Sequence, residues 1–369
     1  MQGGNQDWER FLPHSFDEGF HTRFAARFAG QTVCVAGAGG YVGSALVEAL
    51  APAGLRSLIL LDSSEYGLFE IQRYMEMAHA AVTCQPVLGS VNDDRLLDSV
   101  FSRFCPQTIF HAAAFKHVGL LERNPFAAIA NNALGSYTLS KAALRHGVSR
   151  LVFVSTDKAV HPHGIMGASK RVGELITLSL SGPSCRANAI RLGNVIGSTG
   201  SVIPLFLEQI ENGQPISVTH PEASRYFLSV KETVTAILAA GSAACEGKVL
   251  LPEFAEPVRI VELASFFARA TPGGNRSLPV RFTGLRPGEK VTEDLIGRDE
   301  TTIGIVDGPL TVVKTRTLPW EECDSAFERL SACVASRDAG SLLEALLLLV
   351  PEYRPGKLIV ESAAVAASE

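Results

Sequence analysis

Residues 32–50 read TVCVAGAGGYVGSALVEAL. The opening TVCVA is a run of small and β-branched apolar residues, and a strand without a polar side is one covered by other structure on both faces. GAGGYVG follows, spacing Gly37, Gly40 and Gly43 three apart, and a helix is expected to open at about Tyr41 and run through Val42. Glycines between a strand and a helix let the main chain turn tightly and approach a pyrophosphate, whose charge the amino end of the helix favours. Such a pattern is common in turns and means little alone. Here a strand precedes it, a helix follows it, and a second apolar strand, Ser57 to Leu61, ends in Asp62. A carboxylate about 20 residues beyond the glycines is placed to accept hydrogen bonds from the adenosine ribose. Ser63, Ser64 and Glu65 come next, with no arginine to receive a 2'-phosphate. NAD is therefore the expected cofactor and NADP the alternative, with Arg73 or a residue distant in sequence as the cation it would need.

Downstream, a helix from about Glu65 to Ala80 leads to VTCQPVLGSVNDD, a strand whose end at Ser90 and Val91 should lie near the adenine. In QTIFHAAAFKHVGLLERNP, Ala112, Ala113 and Ala114 follow another strand and permit either close approach to the dinucleotide or plain close packing. Asn132 falls in the next helix, where a buried amide must find partners and can brace neighbouring backbone. Strands and helices alternate in this way through residue 195, which implies right-handed crossovers and a parallel sheet. From Asn194 onward Gly197, Gly200 and Pro204 break the chain into shorter elements. The fold expected is α/β, a Rossmann-type doubly wound parallel sheet with a smaller C-terminal substrate-binding lobe. Residues 1–30 form an N-terminal extension with a short amphipathic helix in HTRFAARFAG, 31–195 the dinucleotide-binding domain, 196–300 the lobe interleaved with late strands, and 301–369 a C-terminal helical segment and tail.

The chain has 369 residues, 46% of them hydrophobic, enough for a large core. Acidic residues number 38 against 33 Lys and Arg, so no basic surface for nucleic acid is expected. Seven scattered cysteines without a C-x-x-C pair fit reduced thiols and a cytoplasmic protein. His161 and His163 read as loop histidines, since no further ligands accompany them and a metal needs more. The amino terminus has no signal-peptide pattern. Leu342 to Val350, interrupted by Glu344, is too short for the ~20 residues of a membrane span and reads as a packed helix.

Chemistry concentrates in residues 151–171, LVFVSTDKAVHPHGIMGASKR. An apolar strand, Leu151 to Val154, delivers Thr156, Asp157 and Lys158 to the carboxyl edge of the sheet, where α/β folds bind their ligands. Met166 and Lys170 are four apart on the following helix and share a face. Arg225 in HPEASRYF, and Arg286 with Glu289 in GLRPGEK, are expected in loops, and guanidinium forks suit diphosphate oxygens.

This arrangement resembles the short-chain dehydrogenase/reductase superfamily, with Thr156 and Lys170 at its Ser/Thr and Lys positions and Met166 at its tyrosine. A thioether carries no proton. STDKAV, the Met-G-A-S-K-R helix, GNVIGSTGSVIPLF, HPEASRYF and GLRPGEK together resemble the CapD-like branch of nucleotide-sugar dehydratases, over roughly residues 30 to 300. In that branch a methionine commonly replaces the tyrosine, and the type member is UDP-N-acetylglucosamine 4,6-dehydratase. HPHGI and Ser90 depart from the usual residues of the branch, the former beside the expected sugar. Many relatives carry transmembrane helices ahead of this domain, and this chain looks like a free-standing member without them.

The resemblance implies a tightly held, recycled nicotinamide and a UDP-sugar substrate. Carbon 4 is oxidised, water is eliminated across carbons 5 and 6, and the hydride returns to carbon 6, with inversion at carbon 5 left open. It implies Lys158 as base at carbon 5, Asp157 as acid at the 6-hydroxyl, Thr156 at the 4-hydroxyl and Lys170 at the nicotinamide ribose. The 4-hydroxyl proton is left to a relay through Thr156, Asp157 or water. Lys116, His117, Asn194 and Val202, with Arg225, Arg286 and Glu289, are expected around the substrate, and a homo-oligomer, dimer or hexamer, is expected. The rival on the same fold is a nucleotide-sugar epimerase or 4-ketoreductase; a more distant one is a non-catalytic dinucleotide sensor.

Overall fold

In the computed structural model, residues 19–270, 278–306, 308 and 310–366 are described; residues 1–18 of the expected extension lie outside them. Helix α1 (Phe20–Ala25) and the single turn after it bury Phe24 and Phe28. Strands and helices then alternate: β1 (Thr32–Ala36), α2 (Tyr41–Leu50), β2 (Ser57–Asp62), α3 (Glu65–Ala78), β3 (Cys84–Leu88), α4 (Asp94–Phe104), β4 (Thr108–His111), the short α5 (Val118–Glu122) and α6 (Pro125–Ala128), α7 (Gly135–Arg145), β5 (Arg150–Thr156), α8 (Ile165–Ser179) and β6 (Arg186–Leu192). Every residue of β1 and β4 is buried, as apolar runs without alternation require of strands covered on both sides. Side chains still alternate between the two covers. Leu58 and Leu60 of β2 pack with Phe24, Leu46 and Ile237, while Ile59 and Leu61 pack with Phe101 and Leu139.

The second lobe is held by three two-stranded ladders: β7 (Asn194–Val195) with β10 (Phe227–Leu228), β8 (Ile216–Val218) with β13 (Val280–Phe282), and β9 (Ser224–Arg225) with β12 (Val258–Arg259). Helices α9 (Val202–Glu211) and α11 (Ile260–Ala270) cover them around Phe206, Leu263 and Phe267. Between these pieces the chain returns to the main sheet through α10 (Val230–Ser242) and β11 (Val249–Pro252). The sheet order is β3-β2-β1-β4-β5-β6-β11, continued by two edge strands, β15 (Leu310–Lys314) and β14 (Thr301–Val306). Pairing is parallel through β11 and antiparallel at β15 and β14. The order reverses between β1 and β4, which opens the crevice where such sheets hold ligands.

Residues 301–314 therefore differ from the helical segment expected there. TTIGIV and LTVVK are rich in β-branched residues, which favour a pleated edge over a helix. Only after them do helices α12 (Trp320–Ser336), α13 (Ala339–Leu349) and α14 (Lys357–Ala366) follow. Leu342 and Leu346 of α13 pack against Ile176 and Leu330, so the leucine-rich run is a buried face. Among the described residues no helix is long and apolar enough to cross a membrane.

Candidate active site

The glycine turn after β1 is closed against the end of β4. Gly37 has φ +85°, and a side chain there would meet the Ala113 nitrogen at 2.6 Å and the Ala112 carbonyl carbon at 2.8 Å. A side chain on Gly43 would fall 1.8 Å from the Gly37 oxygen. Gly40, in extended conformation, leads into the first turn of α2, where Tyr41 and Val42 are half-buried. The Tyr41 hydroxyl donates to the Ile196 carbonyl at 2.8 Å, tying the turn to the second lobe.

Asp62 accepts from the Gly39 and Ser64 amides, each at 2.8 Å, and so holds the glycine turn to the end of β2 beside Ser63. Each carboxylate oxygen keeps a further lone pair for a ribose hydroxyl. Arg73 lies on α3 and pairs with Glu70 at 3.1 Å. At the end of β3 the Ser90 hydroxyl accepts from the Asn92 amide, and Val91 is buried against Gly135. A side-chain-free cradle, a helix amino end and a carboxylate at the next strand end fit a dinucleotide, with Ala112 to Ala114 forming one wall.

Past β4, the chain between Ile129 and Leu134 widens into a π-turn. Such turns rotate a side chain out of helical register and recur at functional sites. Here the turn aims Asn132, which accepts from the Phe115 amide at 2.8 Å and donates to the Phe115 carbonyl and the Ser169 hydroxyl, both at 3.0 Å. The expected brace is thus between the Phe115 loop and α8.

Where β5 ends, the Thr156 hydroxyl and the Lys158 ammonium both donate to one Asp157 oxygen at 2.9 Å. Lys158 also donates to the Asn194 side-chain oxygen at 3.0 Å. Asp157 is fully buried and its second oxygen has no hydrogen-bond partner among the described residues. Helix α8 begins at Ile165, whose amide donates to the buried Glu122 carboxylate at 2.5 Å. Met166, in its first turn, is buried. One turn further, Lys170 donates to the Val154 carbonyl, and burial takes its pKa down to about 7.

A cleft of about 620 Å³ opens between the lobes. Lys116, His117, Lys158, Asn194, Val202, Arg225, Arg286 and Glu289 all line it, whereas Thr156 and the fully buried Asp157, also expected at the substrate, do not. Burial lowers the pKa of Lys116. Arg286 is exposed at the rim, where the Glu289 carboxylate accepts from its backbone amide at 3.1 Å. Arg225 departs from expectation: it lies in β9, not a loop, is buried, and donates to the Ser224, Lys290 and Val291 carbonyls. Its terminal nitrogens hold backbone, which leaves the rim cations to meet an anion.

Sequence reasoning missed Arg123 and Glu293, both of which line the cleft. Glu293 follows Glu289 by four residues in GEKVTED, among several charged side chains with no period to single it out. Only folding brings it 3.8 Å from Lys158. Burial raises its pKa, Lys158 pulls it down and Asp157 pushes it up again. His161, 3.4 Å from Asp294, accepts from the Arg298 amide, and no group of side chains suited to a metal occurs among the described residues.

Residues 33–313 match the family model described as polysaccharide biosynthesis protein. The chain is 39% identical over 273 residues to the capsular polysaccharide biosynthesis protein CapD of Staphylococcus aureus, covering 73% of this chain and 46% of CapD. It is 29% identical over 281 residues to the UDP-glucose 4-epimerase of Rickettsia akari, covering 74% and 80% of the two chains. The chain spans about half the length of CapD and of the EpsC protein of Bacillus subtilis, 46% in each case. Among solved structures, Pen from Bacillus thuringiensis superposes with a TM-score of 0.70 at 24% identity, over 82% of this chain and 98% of Pen. DesIV, a dTDP-glucose 4,6-dehydratase from Streptomyces venezuelae solved with NAD and TYD bound, gives 0.65 at 22%, over 72% and 88%. At those identities the two structures share the fold. The match over most of the chain goes further, and the likeness to CapD agrees with it: this chain belongs to the polysaccharide biosynthesis protein family.

Proposed function

We propose that this protein is a nucleotide-sugar 4,6-dehydratase acting on UDP-N-acetylglucosamine or a close UDP-sugar. One observation carries the reading: Lys158, which lines the cleft, donates at 2.9 Å to the buried Asp157 carboxylate, a base and an acid side by side. Elimination across carbons 5 and 6 needs a base at carbon 5 and an acid at the leaving hydroxyl, whereas epimerisation at carbon 4 removes no carbon-5 proton and expels no hydroxyl. The likeness to CapD and the shared fold with a 4,6-dehydratase support the same choice.

NAD is the proposed cofactor, with the pyrophosphate on the Gly37 to Gly43 turn, the adenosine ribose on Asp62 and the nicotinamide ribose near Lys170. When bound, the nicotinamide supplies the hydride acceptor for carbon 4 and the donor for carbon 6. The protein's side chains handle the protons. Thr156 hydrogen-bonds the 4-hydroxyl, Lys158 takes the carbon-5 proton acidified by the new ketone, and Asp157 protonates the departing 6-hydroxyl. Arg286, Arg123 and Lys116 neutralise the UDP diphosphate at the cleft rim.

The likeness to the Rickettsia akari UDP-glucose 4-epimerase favours a second reading, epimerisation through the same carbon-4 ketone. Mass spectrometry of UDP-N-acetylglucosamine incubated with the protein in heavy water separates the two. Loss of one water with one deuterium gained is the expected result. A changed retention time without water loss makes the protein an epimerase, and no change with any UDP-sugar, with NAD or NADP supplied, sinks the dehydratase reading.

A further inference from the structure

Oxidation of carbon 4 releases the 4-hydroxyl proton, and Met166 cannot take it. Beside Met166 lies a small, partly open cavity of about 10 Å³, lined also by Lys158, His163, Lys290 and Glu293. That is close to the smallest volume that holds one water, and charged groups line it. Glu293 is buried, and one of its oxygens has no hydrogen-bond partner among the described residues. Lys158, Arg225 and Lys290 each lie 3.8 Å from its carboxylate. Those separations are too long for direct hydrogen bonds and suit bridging by water.

We propose that Glu293, through one water in the cavity beside Met166, accepts the 4-hydroxyl proton that a tyrosine accepts elsewhere in the superfamily. This rests on the reading that carbon 4 is oxidised, which the dehydratase and epimerase mechanisms share. The O–H bond of the 4-hydroxyl breaks and its proton passes by way of the water to the Glu293 carboxylate, while the carbon-4 hydrogen leaves as the hydride that the nicotinamide receives. In the dehydratase cycle Asp157 spends its proton on the departing 6-hydroxyl, and Lys158, whose ammonium exchanges with solvent, gives a proton back to carbon 5. The proton on Glu293 then crosses Lys158, 3.8 Å away, to Asp157, 2.9 Å beyond. Every proton is accounted for, and only water is lost.

The groups facing Glu293 set its titration. Asp157 and Lys158 come from the end of β5, Arg225 from β9, His163 from the loop before α8, and Lys290 from its own segment. Burial keeps the carboxyl above the ordinary range, so the base form, and with it carbon-4 oxidation, is lost as pH falls through that raised pKa.

The test compares the full chain with Glu293→Gln and Glu293→Asp, using NAD and UDP-N-acetylglucosamine, by single-turnover absorbance of the reduced nicotinamide. Glu293→Gln should slow reduction by about 100-fold or more, the range for a lost general base, and lose the acid limb of the pH profile. Glu293→Asp should restore most of the rate, and UDP binding measured calorimetrically should change little in either variant. Independently of turnover, infrared spectra of the wild type should show a carboxyl band titrating above the ordinary carboxylate range that is absent from Glu293→Gln. Unimpaired reduction with an unchanged acid limb, or retention of that band in Glu293→Gln, overturns the assignment. If Glu293→Gln does not fold, an aspartate variant that folds and binds UDP but has no activity overturns it too. A wild type that never reduces its nicotinamide fails at the earlier step and takes both readings down, whereas a wild type that reduces it alongside an equally fast glutamine variant removes this one alone.

Discussion

The Lys170 ammonium donates to the Val154 carbonyl at 2.7 Å and lies 3.9 Å from the centre of the Phe153 ring, inside the fold. Glu174 favours its charge from a distance, but burial dominates and lowers the pKa from 10.5 to about 7. Between those values the unfolded chain binds a proton that the native one lacks, so stability rises with pH across that window. Below about pH 7 both states are protonated and the full penalty of burying the charge is present. Urea unfolding of the wild type and Lys170→Met at about pH 6 and pH 9 should show the wild type gaining on the variant by roughly 2–3 kcal/mol toward the higher pH. Parallel profiles would mean that Lys170 is not desolvated as the structure has it.

Gly37 makes a different demand, because both its conformation and its space exclude a side chain. An alanine there takes a positive φ and meets the Ala113 backbone at 2.6 Å, with no flexible neighbour to yield. Gly37→Ala should destabilise the protein by ~1–3 kcal/mol and weaken NAD binding by at least about tenfold. Calorimetric titration of NAD, beside thermal melts, checks both, and wild-type affinity would move the pyrophosphate away from this turn.

These two sites were legible to different degrees. The glycine turn, Asp62 and the strand-end Thr156, Asp157 and Lys158 are local: a strand, a turn and a helix within a few dozen residues place them by spacing alone, and the roles expected of the last three come from the family resemblance. The sheet through β6 followed from the same alternation. Arg225 looked like a loop cation because SRYF offers only two residues to a ladder, too short a strand to leave a period. The β14–β15 hairpin was hidden because its partner, β11, lies some 60 residues earlier, and edge pairing leaves no local signature. Glu293 was unreadable for a related reason: its neighbours Lys158, Arg225 and Lys290 meet only when the second lobe closes on the sheet.

Beneath the site runs a buried ionic network that binds α8 and β6 to the segment before β14. Arg191, 1% exposed, bridges Glu174 at 2.8 Å and Glu300 at 2.6 Å, and Arg171 joins Glu174 at 2.9 Å. The guanidiniums hold the Glu174 pKa down against its burial and bring that of Glu300 to about 2. Ser155, adjacent to Thr156, donates to Glu174 at 2.6 Å, so the network reaches the end of β5. Arg191→Leu leaves two carboxylates buried without their main partner and should destabilise by ~3–5 kcal/mol. Because both acids lose the largest of the interactions that depress them, the variant should also show a weaker decline in stability than the wild type as pH falls from about 4.5 toward 2. Chemical unfolding across that range checks it; a loss below ~1 kcal/mol at neutral pH would show the network to be replaceable.

At the rim, Arg286 and Arg225 make opposite predictions from the same side chain. The Arg286 guanidinium faces the cleft from an exposed turn, whereas Arg225 gives both terminal nitrogens to carbonyls of residues 224, 290 and 291. A diphosphate entering the cleft should draw its charged hydrogen bonds from Arg286, each worth ~1.5–3 kcal/mol. Arg286→Ala should therefore weaken UDP binding by roughly 10- to 100-fold, with its melting temperature close to wild type. Arg225→Ala removes three hydrogen bonds that hold the Lys290 to Glu293 segment, so it should lower the melting temperature first. Titration of UDP into both variants, beside their melts, decides the matter. If Arg286→Ala binds UDP as tightly as wild type while a folded Arg225→Ala does not, the diphosphate lies deeper than the rim, against β9.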